Sequence, residues 1–447
     1  MVGDVHTSAI GAMPAGLHSS HHQQEFSLKY SFSGSVLAAC GLCTVLLMVF
    51  TEYTDHVGPD EVNRYYLFFI QVMAMVFLGI GLLMSFLRRY SFSAICLNFF
   101  ASSMVFIQAV LCVGTVQQVL WNQTLSKIVL DLPLMIDASF CAAAAMISFA
   151  AVVGKATPTQ IVWMLFLQTP VYALNQHLVV HTFEALDMGG TIVVHAFGCY
   201  YGLAASVALS RHQRDYGESN PKLSSSYISD ITSMVATVLL WINWPSFNAA
   251  LASAAAQFLS IANTVLALLG STLSAFAVSS YLDGKLSAIA VQNATLAGGV
   301  CIGAACTLKM APGVAFMVGL SAGAISTACF KYLTPYLDLR FGLGDTCGIH
   351  SLHGLPAILG ALLAGLIAFT QDESFLLHSS STQMAYQIAA ITCTVFISAG
   401  AGYMAGWLVS TVNLFASPTL EPDQMFEDGL WFTAAGREKD FVAPVEV

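Results

Sequence analysis

The chain has 447 residues, of which 57% are hydrophobic and only 9% charged, and its net charge is −10. Soluble globular chains carry about 25% charged residues, so an ordinary water-soluble enzyme is excluded. The few basic residues form no stripe that could follow a phosphate backbone, which excludes nucleic acid as a partner.

In chain order, residues 1–27 form a polar tail holding His18, His21 and His22. It lacks the basic start and cleavage site of a signal peptide, so the first apolar run is expected to stay in the product. Apolar runs follow at roughly 33–51, 66–86, 92–113, 130–153, 159–180, 189–209, 227–252, 257–280, 287–308, 311–330, 348–370 and 383–411. Between Asp230 and Asp283 there is no Asp, Glu, Lys or Arg in 52 residues, enough for two crossings at roughly 20 residues each. A closed barrel would need short alternating strands instead, so the runs predict an all-α polytopic membrane domain over 28–415. An acidic cytoplasmic tail, 416–447, completes the chain. The eleven cysteines are scattered and mostly sit inside apolar runs, as small buried side chains rather than a disulfide framework.

Twelve crossings place both termini on one side, and the basic residues choose it. With cytoplasmic ends, twelve of the fifteen Lys and Arg are internal, leaving only Arg64, Lys127 and Lys309 outside. Asn122-Gln-Thr124, a glycosylation acceptor sequon, then falls in an external loop. A second sequon, Asn293-Ala-Thr295, lies inside a run and is expected to be unmodified.

Two segments share a pattern that helix packing alone does not require. Asp187-Met-Gly-Gly-Thr-Ile-Val-Val-His195-Ala-Phe-Gly198 is matched by Asp345-Thr-Cys-Gly-Ile-His-Ser-Leu-His353-Gly354. Each has Asp at the mouth of a run, Gly three residues later and His eight residues later. If the intervening turns are helical, eight residues rise about 12 Å, taking each His toward mid-membrane. The two segments enter from opposite sides, as inverted-repeat transporters do, with the functional site near the midplane. An intramembrane His is expensive without a partner or a wet cavity, so both are candidate functional residues. Each Asp has a structural alternative, because a carboxylate in a first helical turn accepts backbone N–H bonds. His350 and His353 are spaced to bind a metal, but no complete ligand set is visible nearby, and neither metal nor cofactor is expected. His177 and His181 read as solvated.

These segments, with Trp244-Pro-Ser-Phe-Asn248, Gln292-Asn-Ala-Thr-Leu-Ala-Gly-Gly299, Phe86-Leu-Arg-Arg-Tyr-Ser-Phe-Ser-Ala94 and Asp137-Ala-Ser-Phe-Cys141, resemble the Rh (Rhesus) glycoprotein branch of the ammonium transporter family. The matches run from about residue 65 to 370. The resemblance implies about twelve transmembrane helices with an inverted five-helix repeat around a pore, assembled as a homotrimer in the plasma membrane. It implies that the pore passes ammonia, with methylamine or carbon dioxide as further cargoes. It assigns His195 and His353 as paired pore histidines and Phe140 and Phe247 as an aromatic gate. Asp187 matches the acidic residue near the external mouth, Asp345 is its counterpart, and Asn248 is a weaker pore candidate. The chain departs from the family at Asn175-Gln176, where relatives often have Asn-Glu, so one vestibule acid is missing there.

Two other readings compete. A proton-coupled secondary transporter would use the same Asp and His lining with a conformational cycle. An intramembrane metalloenzyme would need several ligands converging at one depth.

Overall fold

A computed structural model describes residues 27–54, 59–210, 221–372, 376–411 and 420–432. The amino-terminal histidines, and most of the two tails, lie outside the described residues. Each apolar run contains a helix, because in lipid only a helix satisfies every backbone amide within its own segment. In chain order these are α1 (Lys29–Phe50), α2 (Asp60–Phe86), α3 (Ser91–Trp121) and α4 (Leu132–Val152). Then come α5 (Pro158–His177), α6 (Thr191–Leu209), α7 (Tyr227–Ala249) and α8 (Ala254–Asp283). The last four are α9 (Ala288–Ile302), α10 (Pro312–Phe341), α11 (His350–Ala368) and α12 (Ser380–Thr411). Among the described residues, nine of these are long and apolar enough to cross a membrane; α9 is apolar but shorter, and α5 and α7 are more polar.

Local signals start the helices. Asp131 caps α4 by accepting from the Leu134 amide at 2.8 Å. Thr157 and Gln160 form a reciprocal capping box ahead of Pro158, and Ser226 with Ser229 does the same for α7. Helix α4 is buried almost throughout. Its run of small residues, Ala142 to Ala145, lets α3, α5 and α6 close around it as small residues do between membrane helices.

The connections collect alternately on two faces. One carries Asn122. There a short parallel pair, β1 (Thr51–Tyr53) and β2 (Ile128–Leu130), ties two loops together, and the Gly189 amide donates to the Gly303 carbonyl at 2.9 Å. The opposite face carries the last described segment, 420–432. Its Asp428 is fully buried and accepts from the Phe92 and Ser93 amides at 3.2 and 2.6 Å, capping α3. Glu427 pairs with both Arg89 and Lys222 at 2.8 Å. Phe426 is buried, and its amide donates to the Gly154 carbonyl at 2.9 Å. The acidic tail is thus bound at this point to the face on which it emerges.

The inverted repeat is visible as matched geometry. Helices α6 and α11 open from opposite faces, and each begins with a π-helical turn, Thr191–Ala196 and His350–Gly354. Seven residues after each His stands a glycine pressed on the backbone of another helix. A Cβ on Gly202 would lie 2.7 Å from the Ser148 carbonyl in α4, and one on Gly360 only 2.2 Å from the Cys301 carbonyl in α9.

Candidate functional site

The Asp-x-x-Gly elements build both helix openings. Asp187 accepts from the Ile192 and Val193 amides, both at 2.8 Å. Asp345 accepts from the Ile349 and His350 amides, both at 2.9 Å. Between each Asp and its helix the chain reverses through a glycine at positive φ, 68° at Gly190 and 71° at Gly348, where a side chain would be strained. The first part of each eight-residue stretch is therefore a turn rather than helix, because the carboxylate draws the amides of the first turn onto itself. The rise to each His is correspondingly less than that of a continuous helix.

These openings bring the two histidines together. Nδ1 of His195 lies 3.2 Å from Nδ1 of His353, with ring centroids 5.1 Å apart and planes 9° from parallel. Both are buried, and both line a narrow cavity of about 60 Å³ whose walls include Val76, Ile147, Leu240, Leu296 and Leu352. Nε2 of His195 is buried and has no hydrogen-bond partner among the described residues. Trp244 lies over His195, with centroids 5.6 Å apart and a 22° tilt. Its indole N–H likewise has no partner among the described residues.

On the Asn122 side the cavity ends at Phe247, whose ring packs on Phe140 at 4.5 Å and 50°. Both rings are buried. On the tail side the cavity shares Phe86, Ile289 and Cys347 with a wider one of about 260 Å³. That second space is lined by Lys155, Asp338, Asp345 and Phe426. Lys155 is buried at the start of the α4–α5 loop, holding the Gly344 carbonyl and the Ser206 hydroxyl. Burial pushes its ammonium down to about 8, against the opposing pull of Asp345 and Asp338.

Asn248 is not part of the cavity wall. It is fully buried and donates to Thr264 Oγ1 at 3.0 Å and the Gly299 carbonyl at 3.1 Å, joining α7 to α8 and α9. His350 and His353 diverge: Nδ1 of His350 lies 3.7 Å from Cys329 Sγ, whereas His353 faces His195. Among the described residues no group of three or more His, Cys, Asp or Glu is placed to hold a metal. Asn122 is exposed, and Asn293 is buried in α9 against the cavity. His177 and His181 stack at 5.6 Å near the Asn122 face, and Trp121 covers His181.

Two residues acquire a place that sequence reasoning had not given them. Trp244 stood in a quoted motif without a role, and only the fold reveals its position over His195. Asp137 also stood in a motif. Its partners, Gln117 and Gln176, come from two other helices, and no local pattern foretells them.

A membrane-embedded helical bundle that encloses an apolar cavity with two histidines in its wall has the build of a channel or transporter. The profile of the Ammonium Transporter Family matches residues 36–421. The chain is 35% identical to Ammonium transporter Rh type B of Danio rerio over 428 residues, 89% of this chain and 91% of that one. It is 37% identical to Ammonium transporter Rh type A of Bos taurus, covering 90% and 96% of the two chains. Among solved structures, Rh50 of Nitrosomonas europaea superposes with a TM-score of 0.73 at 33% identity, over 86% of this chain and 96% of that one. Mep2 of Saccharomyces cerevisiae, at 20% identity and a TM-score of 0.69 over 85% and 94%, shares the fold. The chain belongs to the ammonium transporter family, in its Rh branch.

Proposed function

We propose that this protein conducts ammonia across the plasma membrane. Ammonium is gathered at the Asn122 face, loses its proton there to water, and crosses as neutral ammonia past His195 and His353. The observation that carries this reading is the 3.2 Å contact between the two imidazoles inside an apolar cavity. An ion moved into a dry, low-dielectric passage costs up to tens of kcal/mol, whereas an uncharged polar molecule costs on the order of 4–8 kcal/mol without hydrogen bonds. Ammonium can become neutral; potassium cannot. Such a passage selects by that difference.

The facing Nδ1 atoms constrain the protons. One ring donates N–H and the other accepts, so the pair shares one proton between them and stays neutral. The donor ring then presents a bare Nε2 and the acceptor ring an Nε2–H. Ammonia, itself a donor and an acceptor, is met by one of each. Phe140 and Phe247 close the passage against hydrated ions. The Asn122 face is external in this reading, with both termini cytoplasmic, because the tail face holds most of the basic residues. A homotrimer with one pore per subunit is the assembly, and methylamine or carbon dioxide is a further cargo.

Stopped-flow measurements on proteoliposomes, with ammonium and carbon dioxide supplied separately, test the cargo. Voltage clamp during ammonium addition tests neutrality. Absence of ammonium-dependent alkalinisation overturns the reading. A current that tracks flux one charge per molecule replaces it with proton-coupled transport.

A further inference from the structure

Asp137 has no part in the passage described so far. It lies in α4 three residues before Phe140, and therefore about 4.5 Å further toward the Asn122 face and about 60° around the helix. Its side chain is buried, at 8% exposure. Oδ1 accepts from Gln176 Nε2 at 3.1 Å and Oδ2 from Gln117 Nε2 at 3.2 Å.

Its setting differs from that of the other aspartates near the passage. Asp187 and Asp345 hold backbone amides at helix openings. The cap of α4 is already supplied by Asp131, and at the position of Asp137 the helix consumes its own amides. The three-helix tie through Gln117 and Gln176 needs only an acceptor, which a neutral Asn would provide. What needs explaining is why an acid stands there. Among the described residues no Lys or Arg pairs with Asp137, and burying a carboxylate without a countercharge costs several kcal/mol. A carboxylate has about four lone-pair sites, and the two amides occupy two.

We propose that Asp137 recruits the cation: held by Gln117 and Gln176, its remaining lone pairs receive the N–H groups of ammonium one turn before the Phe140 gate. The inference rests on the reading that ammonium approaches from the Asn122 face. The mobile countercharge absent from the protein is then the cargo itself.

The test compares wild type, Asp137→Asn and the exchange variant D137N/Q176E in proteoliposomes, reading initial ammonium or methylammonium uptake across a range of external concentrations. Asp137→Asn keeps the shape and is expected to raise the apparent KM by about tenfold while preserving the maximal rate. D137N/Q176E moves the acid across the same hydrogen bond and is expected to return the KM toward wild type. Should Asp137→Asn fail to fold, the exchange variant still decides. A wild-type KM there supports the proposal, and a tenfold higher one overturns it. An unchanged KM in folded Asp137→Asn overturns it, as does a lost maximal rate with unchanged KM, which marks a purely structural tie. A wild-type flux that never saturates also overturns it. Absence of any wild-type flux instead defeats the ammonia-conduction reading beneath it.

Discussion

His195 and His353 stand 158 positions apart in the chain, yet their Nδ1 atoms approach to 3.2 Å. The contact follows from symmetry. Two helices entering from opposite faces, each opened by Asp-x-x-Gly and each carrying His eight residues after the Asp, bring their rings to a shared depth. Each ring is the hydrogen-bond partner of the other's Nδ1.

The pair should therefore act as a unit. Replacing either His with Ala is expected to cut ammonia or methylamine flux about tenfold while leaving surface expression intact, since a lost hydrogen bond of about 1–1.5 kcal/mol is near a factor of ten. The double variant should lose less than the product of the two single losses. Unchanged flux in both single variants, measured in proteoliposomes, would remove the histidines from the mechanism.

The packed rings of Phe140 and Phe247 predict a selectivity effect. Phe247→Ala opens the end of the cavity and should admit hydrated cations, seen as a potassium current under voltage clamp that wild type lacks. Ammonia flux should persist. A variant that folds and stays impermeable to potassium would show that exclusion resides deeper, along the histidine-lined wall.

Asp187 is predicted to act on the helix rather than on the cargo. Asp187→Ala forfeits two charge-assisted bonds, each of about 1.5–3 kcal/mol, and should lower the thermal midpoint of the purified protein. Asp187→Asn retains one acceptor and should fall between. A midpoint equal to wild type, accompanied by lost flux, would reassign the carboxylate to direct contact with ammonium.

Glycosylation provides a check on sidedness. Asn122 is exposed in the α3–α4 loop, so expression in a glycosylating host should give a glycosidase-sensitive mobility shift that Asn122→Gln abolishes. Buried Asn293 should contribute none. A shift that survives Asn122→Gln would place the sugar, and with it the orientation, elsewhere.

Much of this organisation is legible along one dimension. Hydropathy announces the helices because lipid rewards uniform apolar stretches, and the Asp-x-x-Gly spacing marks the two openings because the capping turn is local. Lateral relations are not so written. The tie from Asp137 to Gln117 and Gln176 joins three helices and follows from how they pack. Asn248 is another such case. Beside Phe247 in sequence, it read as a weaker pore candidate; the fold shows its amide donating to Thr264 Oγ1 and the Gly299 carbonyl, contacts no local pattern foretells.

The capping of α3 by Asp428 has a consequence for biogenesis. Ribosomes deliver residue 428 only after all the helices, so the amides of Phe92 and Ser93 wait uncapped while the rest of the bundle is threaded into the bilayer. Translation that halts after α12 would leave that early helix end open to water, with Arg89 and Lys222 bare of the Glu427 carboxylate. Maturation of this face thus waits on synthesis of the segment 420–432, and a stop codon placed between α12 and that segment would leave its mark more than three hundred residues upstream.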